Sequence, residues 1–419
     1  METKERTVNR LETTALTKGL MTRYYEDLRN AREDNVLLGW TTGPVPFELM
    51  RAMDIRFEHL ESYGAYLAAR RGQDLLKKLA EDDGYSVDVC SYARLTQGVA
   101  MLAEKGDTTT VSPELLVPKP DFMMGVNACQ IMGNVYDFHH RLFNTPGFMI
   151  DTVPTWHEED FERNVAFTRH QMEQVITFLE ELTGRSFDYD RLKEIMGRVK
   201  EAAMLRVECM ELSKNFPSPM SFFDHLISLG PMHVWRGTPE SVEYFKKLKA
   251  ELEERVANKV GTLSNERHRL YFDNLPIWFK LGAISEKLGS MGTTIVAGTY
   301  THRCFYGYEP EKLDLNDPLD AVARELTYLC WIFANVPYRL SQIIQIVKDY
   351  SLDGLLIHSA RTCQLFDIGQ PDIIDHIDRK IGVPGVIIDG DPTDPAYYSD
   401  AQTETRLEAF VESLDARMR

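Results

Sequence analysis

No cysteine in this chain is spaced from another as CxxC, although there are six: Cys90, Cys129, Cys209, Cys304, Cys330 and Cys363. That absence removes zinc ribbons, ferredoxin-type runs and thioredoxin-type motifs. Six thiols in so long a chain do not make a disulfide framework either. Apolar runs are short, and none approaches the ~20 residues that cross a bilayer. The N-terminal stretch METKERTVNRLE lacks the apolar core of a secretory signal, so a cytoplasmic protein is expected. Positive charge is in deficit. A formal net charge of −17 argues against a nucleic-acid backbone or an anionic membrane as partner. A local basic patch could still receive an anionic cofactor.

What is present is the balance of a globular protein, with 43% hydrophobic and 26% charged residues. At 419 residues the chain is too long for one ordinary core, and two or three packing units are expected. Residues 1–35 read as a polar helical segment. Over 36–157, strand-like and helix-like segments alternate: NVLLGWTTGP, then a helix from about Val45, DIRFEHLES, a helix over YGAYLAARRGQDLLKKLAEDDG, and PDFMMGVNACQIMG running into a helix. Residues 158–265 carry helical periods only, as in FERNVAFTRHQMEQVITFLEELTG, and read as a connector. The alternation returns over 266–419 with HRLYFDNLPIW, GTTIVAGTYTHRC, LDGLLIHSARTC and GVPGVIIDGDPTDP. The predicted class is therefore α/β, with two doubly wound parallel-sheet domains facing a cleft and joined by a helical connector.

Ligands of open parallel sheets bind beyond the carboxyl ends of the strands. Thr41, Thr42, Glu61, Cys129, Tyr300, His302 and Cys363 all fall at or just after predicted strand ends. The third strand of each half ends at a cysteine, Cys129 in one and Cys363 in the other. Cys209 and Cys330 sit in apolar helical contexts and read as buried hydrophobes. Cys90, at a helix entrance, joins Cys129 and Cys363 as a junction thiol, while Cys304 lies in a loop.

The segments GYSVDVCSYARLTQG, PDFMMGVNACQIMG and LDGLLIHSARTC resemble the three cysteine motifs of the 2-hydroxyacyl-CoA dehydratase and benzoyl-CoA reductase family. NERHRLYFDNLPIW and the ending DGDPTDPAYYSDAQTETRLEAF resemble it too, so the likeness runs from about Val36 to the C-terminus in matching order. It implies that Cys90, Cys129 and Cys363 hold one 4Fe-4S cluster with an open iron site, with neither flavin nor nicotinamide expected. It also implies an acyl-CoA substrate, a related second cluster-bearing subunit, and an ATP-dependent iron–sulfur activator as electron donor. A cluster held by three thiolates leaves one iron free to act as a Lewis acid. A ketyl-type radical of the thioester would then either expel a 2-hydroxyl group or accept further electrons into an aromatic ring.

Several neighbours have roles under this resemblance. Glu61 resembles an acidic position of the family and would move a proton or contact the ester. Thr41 and Thr42 would hydrogen-bond the thioester oxygen or the cluster. His302 and Tyr300 are proton-donor candidates, His358 and Arg361 would tune the cluster, and Arg70, Arg71 and Arg303 are candidates for CoA phosphates. Within the family, GWTTGP, GYSVDVCSYAR and IIDGDPTDP resemble dehydratase subunits. The connector PSPMSFFDHLISLGPMHVW, with AGTYT and DIGQPD, resembles the benzoyl-CoA reductase B-type subunit. Because that connector is the segment expected to shape the acyl pocket, the reading leans to the reductase. A subunit that only relays electrons is the remaining alternative.

Overall fold

In the computed structural model of this chain, the described residues are 7–112, 116–302, 309–334 and 336–417, without the side chains of 330–334. Arg303, Cys304 and the side chain of Cys330 therefore lie outside the described residues.

After helix α1 (Thr14–Arg29) the chain runs β1 (Leu38–Thr42), α2 (Phe47–Ala52), β2 (Arg56–His59), α3 (Leu60–Ala69), α4 (Gln73–Asp82), α5 (Ser91–Lys105), β3 (Phe122–Asn127), α6 (Gln130–Phe143) and β4 (Gly147–Asp151). Four helices follow without a strand: α7 (Phe161–Thr183), α8 (Tyr189–Leu212), α9 (Phe222–His233) and α10 (Pro239–Ala257). Then come β5 (His268–Asp273), α11 (Leu281–Ser290), β6 (Thr293–Gly298), α12 (Thr299–His302), α13 (Pro318–Ala334), α14 (Val336–Asp349), β7 (Gly354–Ala360), α15 (Gln364–Asp367), α16 (Gln370–Ile381), β8 (Gly385–Gly390) and α17 (Asp400–Arg417).

The strands form two parallel four-stranded sheets with the same topology, β2-β1-β3-β4 and β6-β5-β7-β8. Both are the expected α/β arrangement. Helices cover both faces of each sheet, so β1, β5, β6 and β7 are buried at every residue, as near-continuous apolar runs in parallel sheets require. In each sheet the chain reverses its winding direction between two central strands, β1 and β3 in one and β5 and β7 in the other. The crevice beyond the carboxyl ends of such a pair is where ligands of doubly wound folds sit.

Two local expectations change. The single helix expected over residues 63–84 is two helices, broken where Arg71 takes a left-handed conformation (φ 59°) and Gly72 becomes the N-cap of α4. The break lets α4 fold back on α5, and Gly98 makes the approach possible: a Cβ there would stand 1.9 Å from the carbonyl oxygen of Leu76. The strand expected to reach Glu61 ends at His59. The imidazole of His59 accepts the Ser62 N–H and caps α3, which places Glu61 in the first helical turn.

Helix α9 packs against β6 and carries the fully buried His225. Its Nε2 lies 3.3 Å from Ser213 Oγ, and its ring meets that of His302 at 4.8 Å. Burial, helped by the Arg206 guanidinium, pushes the His225 pKa down to about 3. The unfolded chain, with an ordinary histidine near pKa ~6.5, then binds a proton that the folded chain refuses, so this group's contribution is present above ~6.5 and is lost as pH falls. In His225→Gln, the slope of stability against pH from urea melts between about pH 6 and pH 4 should be smaller by about 1.4 kcal/mol per pH unit. An unchanged slope would show that the folded protein accommodates the charged ring.

Candidate functional site

The two crevices face each other and share one cavity of about 140 Å³. Its wall takes Gly43 and Pro44 from beyond β1, Leu60 and Glu61 from beyond β2, Cys129 from beyond β3, Leu275 from beyond β5, Tyr300 from beyond β6 and Cys363 from beyond β7. Cys90, from the start of α5, completes a set of three thiols on one cavity that are separated by 39 and 234 positions in sequence.

Each of these thiols occupies a helix N-cap: Cys90 before α5, Cys129 before α6 and Cys363 before α15. Burial pushes Cys363 up to about 12 and is also the main cause that raises Cys90 and Cys129. Mutual repulsion adds to it, Cys363 acting on Cys90 and Cys129 on Cys363. Amide N–H groups of the helix starts pull the other way without forming a capping hydrogen bond, and they do not offset the burial. At neutral pH the thiols thus keep their protons. Among the described residues, no three His, Cys, Asp or Glu side chains close on a point as the ligands of a single ion would.

The threonine pair divides. Thr42 Oγ1 donates to Glu61 Oε1 at 2.6 Å, and the Gly43 N–H lies 3.2 Å from both oxygens of the same carboxylate. The Thr41 hydroxyl is fully buried and donates to the Glu58 carbonyl at 3.0 Å, behind the cavity wall. Tyr300 lines the cavity, with its ring edge-on to Trp278. His302 turns instead towards α9 and Tyr350, and its Nδ1 lies 2.8 Å from Thr301 Oγ1. His358 is buried inside β7, its Nδ1 donating to the Leu275 carbonyl at 2.6 Å. Arg361 is half exposed and paired with Asp389. Arg70 and Arg71 are exposed, with Arg70 over the Tyr66 ring.

The connector reaches a neighbouring cavity and not the thiol cavity itself. Among the described residues, none from 158–265 lines the thiol cavity. Helix α9 instead contributes Leu226, Leu229 and His233 to an adjoining cavity of about 210 Å³, which shares Tyr300 with the first. Helix α9 is packed against α1 and β6, and its last residue, His233, reaches His59 at the edge of the thiol cavity.

Sequence reasoning misses a clamp between the two sheet units, although its motif, DGDPTDP, stands out in the chain. Thr362, next to Cys363, donates through Oγ1 to Asp391 at 2.5 Å and accepts the N–H of Ser91, next to Cys90, at 3.0 Å. Asp391 also accepts the N–H groups of Thr393 and Asp394. Asp394 takes Lys77 Nζ at 2.6 Å and Arg94 Nη2 at 2.7 Å, all three being buried. One loop after β8 thereby fixes the two backbones that carry Cys90 and Cys363. The other unforeseen neighbours are His59 and Tyr92. Each is two positions from a chemistry-bearing residue, Glu61 or Cys90, which is the signal the sequence offers.

Residues 43–414 match the family described as "2-hydroxyglutaryl-CoA dehydratase, D-component". The (R)-2-hydroxyisocaproyl-CoA dehydratase alpha subunit of Clostridioides difficile is 29% identical over 407 residues, covering 95% of each chain. The lactoyl-CoA dehydratase alpha subunit of Anaerotignum propionicum is 27% identical over 94% of each chain. A benzoyl-CoA reductase subunit of Thauera aromatica is 29% identical over 81% of this chain and 79% of its own. Matched along nearly its whole length, the chain belongs to the 2-hydroxyglutaryl-CoA dehydratase D-component family, as an alpha-type subunit of the 2-hydroxyacyl-CoA dehydratase and benzoyl-CoA reductase group.

Proposed function

We propose that this chain is the alpha-type subunit of a 2-hydroxyacyl-CoA dehydratase, removing water from a 2-hydroxyacyl-CoA to give the 2-enoyl-CoA. In this reading it works with a related second subunit and an ATP-dependent iron–sulfur activator. The observation that carries the proposal is the meeting of Cys90, Cys129 and Cys363 on one cavity at the ends of two doubly wound sheets. Their donor set fits a 4Fe-4S cluster: three soft, partly buried thiols that would give up their protons when the cluster is bound. A cube is wider than a single ion, so its ligands stand farther apart than the ligands of a lone metal. When bound, such a cluster supplies Lewis acidity at its open iron and one low-potential electron.

The chain's own residues do the rest. Glu61, held by the Thr42 hydroxyl and the Gly43 N–H, presents a carboxylate that takes the proton lost from C3 of the acyl group. Tyr300 lies at the same wall and can return a proton to the departing hydroxyl. Leu60, Ile131, Met132, Val135, Leu275 and Phe366 make the cavity apolar and exclude water from it. Among the described residues, neither lysine nor arginine lines it, which favours an uncharged acyl chain over a dicarboxylate.

The reading from sequence leans to the benzoyl-CoA reductase type on the strength of the connector. Two observations move it to dehydration. Among the described residues, none of the connector lines the thiol cavity, and four dehydratase alpha subunits match 92–95% of this chain, against 81% for the reductase subunit. The test is an anaerobic assay of the activated complex. Formation of 2-enoyl-CoA from an apolar 2-hydroxyacyl-CoA is expected. Turnover of benzoyl-CoA to a cyclic dienoyl-CoA, with no dehydration, would overturn the reading. Turnover of neither, with a spectrum that acyl-CoA leaves unperturbed, would point to an electron relay.

A further inference from the structure

His59 ends β2 and stands beside Glu61 with every polar atom of its ring engaged. Its Nδ1 accepts the Ser62 N–H at 3.1 Å and lies 3.1 Å from Nε2 of His233, the last residue of α9. Its Nε2 faces the Gly43 carbonyl at 2.9 Å and Glu61 Oε2 at 3.2 Å. A carbonyl only accepts and an amide N–H only donates, so the two ends of the ring are assigned independently: hydrogen on Nε2, lone pair on Nδ1. The Ser62 hydroxyl, 2.8 Å from the same Nδ1, donates to that lone pair, and Nε2 of His233 faces it at 3.1 Å. Both rings are buried against Phe47, which meets His233 at 4.7 Å and His59 at 5.6 Å, edge to face. Burial keeps both neutral: it lowers the pKa of His59 despite the nearby Glu61, and lowers that of His233 further with help from His59 and Arg236.

We propose that His59 is a positioning residue for Glu61, its tautomer set by the Gly43 carbonyl and the Ser62 N–H and its ring backed by His233, so that the ordered contact His59→Glu61 aims the carboxylate into the thiol cavity. This rests on the reading of Glu61 as the group that moves a proton. The pair orients and does not conduct. A proton passed to His59 Nδ1 would meet the Ser62 N–H head on.

The tautomer can be read without any reaction, on cluster-free protein labelled with 15N-histidine, from two-bond proton–nitrogen correlations. His59 is expected as a neutral ring with hydrogen on Nε2 at about pH 7. A ring carrying hydrogen on Nδ1, or on both nitrogens, overturns the network. In the loaded, activated complex, His59→Leu should lower kcat roughly 10- to 100-fold with KM little changed, as loss of an orienting partner does elsewhere. His59→Gln should recover most of that loss, because its amide reaches the position of Nε2. His59→Asn, one methylene shorter, should not. Equal kcat values for the Gln and Asn variants would sink the proposal even if the Leu variant failed to fold. An unchanged kcat in Glu61→Gln would overturn the base assignment of Glu61, while the tautomer result stood by itself.

Discussion

Alanine in place of Cys129 should leave the anaerobically purified protein well short of the about four iron atoms expected per chain of a 4Fe-4S protein, with dehydratase activity below detection. Alanine at Cys363 or Cys90 should do the same, and alanine at Cys209 should change neither quantity. The contrast follows from where the thiols sit. Cys209 is 1% exposed within the apolar packing of α8 and α10 and behaves as a small hydrophobe. The other three share a cavity and arrive from three separate helix starts. In the proposed cluster with three donors and an open corner, no fourth thiol among the described residues lines the cavity to replace one that is lost. Iron determination and visible absorption decide the matter. Wild-type iron content in the Cys129 variant would remove that thiol from the ligand set.

The second large effect is structural. Asn in place of Asp394 should destabilise the protein by roughly 3–5 kcal/mol, since breaking a buried pair strands its partners. Two cations, Lys77 and Arg94, converge on this carboxylate, and both are almost wholly buried. Asp394 keeps its charge in a place where burial alone would raise its pKa, because hydrogen bonds from Lys77, the Ala396 N–H and Arg94 outweigh that burial and hold it below the usual aspartate range. Arg94 retains the Glu81 carboxylate in the variant, whereas the carboxylate remaining near Lys77 among the described residues is Asp74 at 3.8 Å. Chemical denaturation at neutral pH measures the change, and a loss below about 1 kcal/mol would mean that water replaces the lost carboxylate oxygen. Because this loop also holds the Cys90 and Cys363 backbones together through Thr362, the same variant should take up iron less completely than wild type.

Much of the architecture is legible because parallel-sheet strands announce themselves. Runs such as FMMGV and GLLIHSA are apolar throughout, and each is followed by a helix with polar periodicity. Cys129 and Cys363 are legible for the same reason, since a residue just after a strand and before a helix lies at the carboxyl edge of the sheet, whereas Cys90 follows α4 and is marked only by its helix start. The break between α3 and α4 is not, since Arg71 gives no warning of a left-handed backbone. Thr41 and Thr42 illustrate a finer limit. Adjacent residues of one strand point to opposite sides, so only Thr42 reaches Glu61 while Thr41 binds a strand carbonyl.

The order of strands and helices, the two-fold repetition of the winding and the three junction thiols are all written in the linear sequence, because hydrophobic periodicity and local helix starts are short-range properties. The meeting of those thiols was decided only by tertiary structure. So were the Asp391–Thr362–Ser91 clamp, the buried Asp394 network, the His59–His233 pair and the exclusion of the connector from the thiol cavity. Each joins residues far apart in sequence, His59 to His233 across 174 positions and Arg94 to Asp394 across 300. No local pattern encodes a contact whose partners are brought together solely by the packing of two sheets.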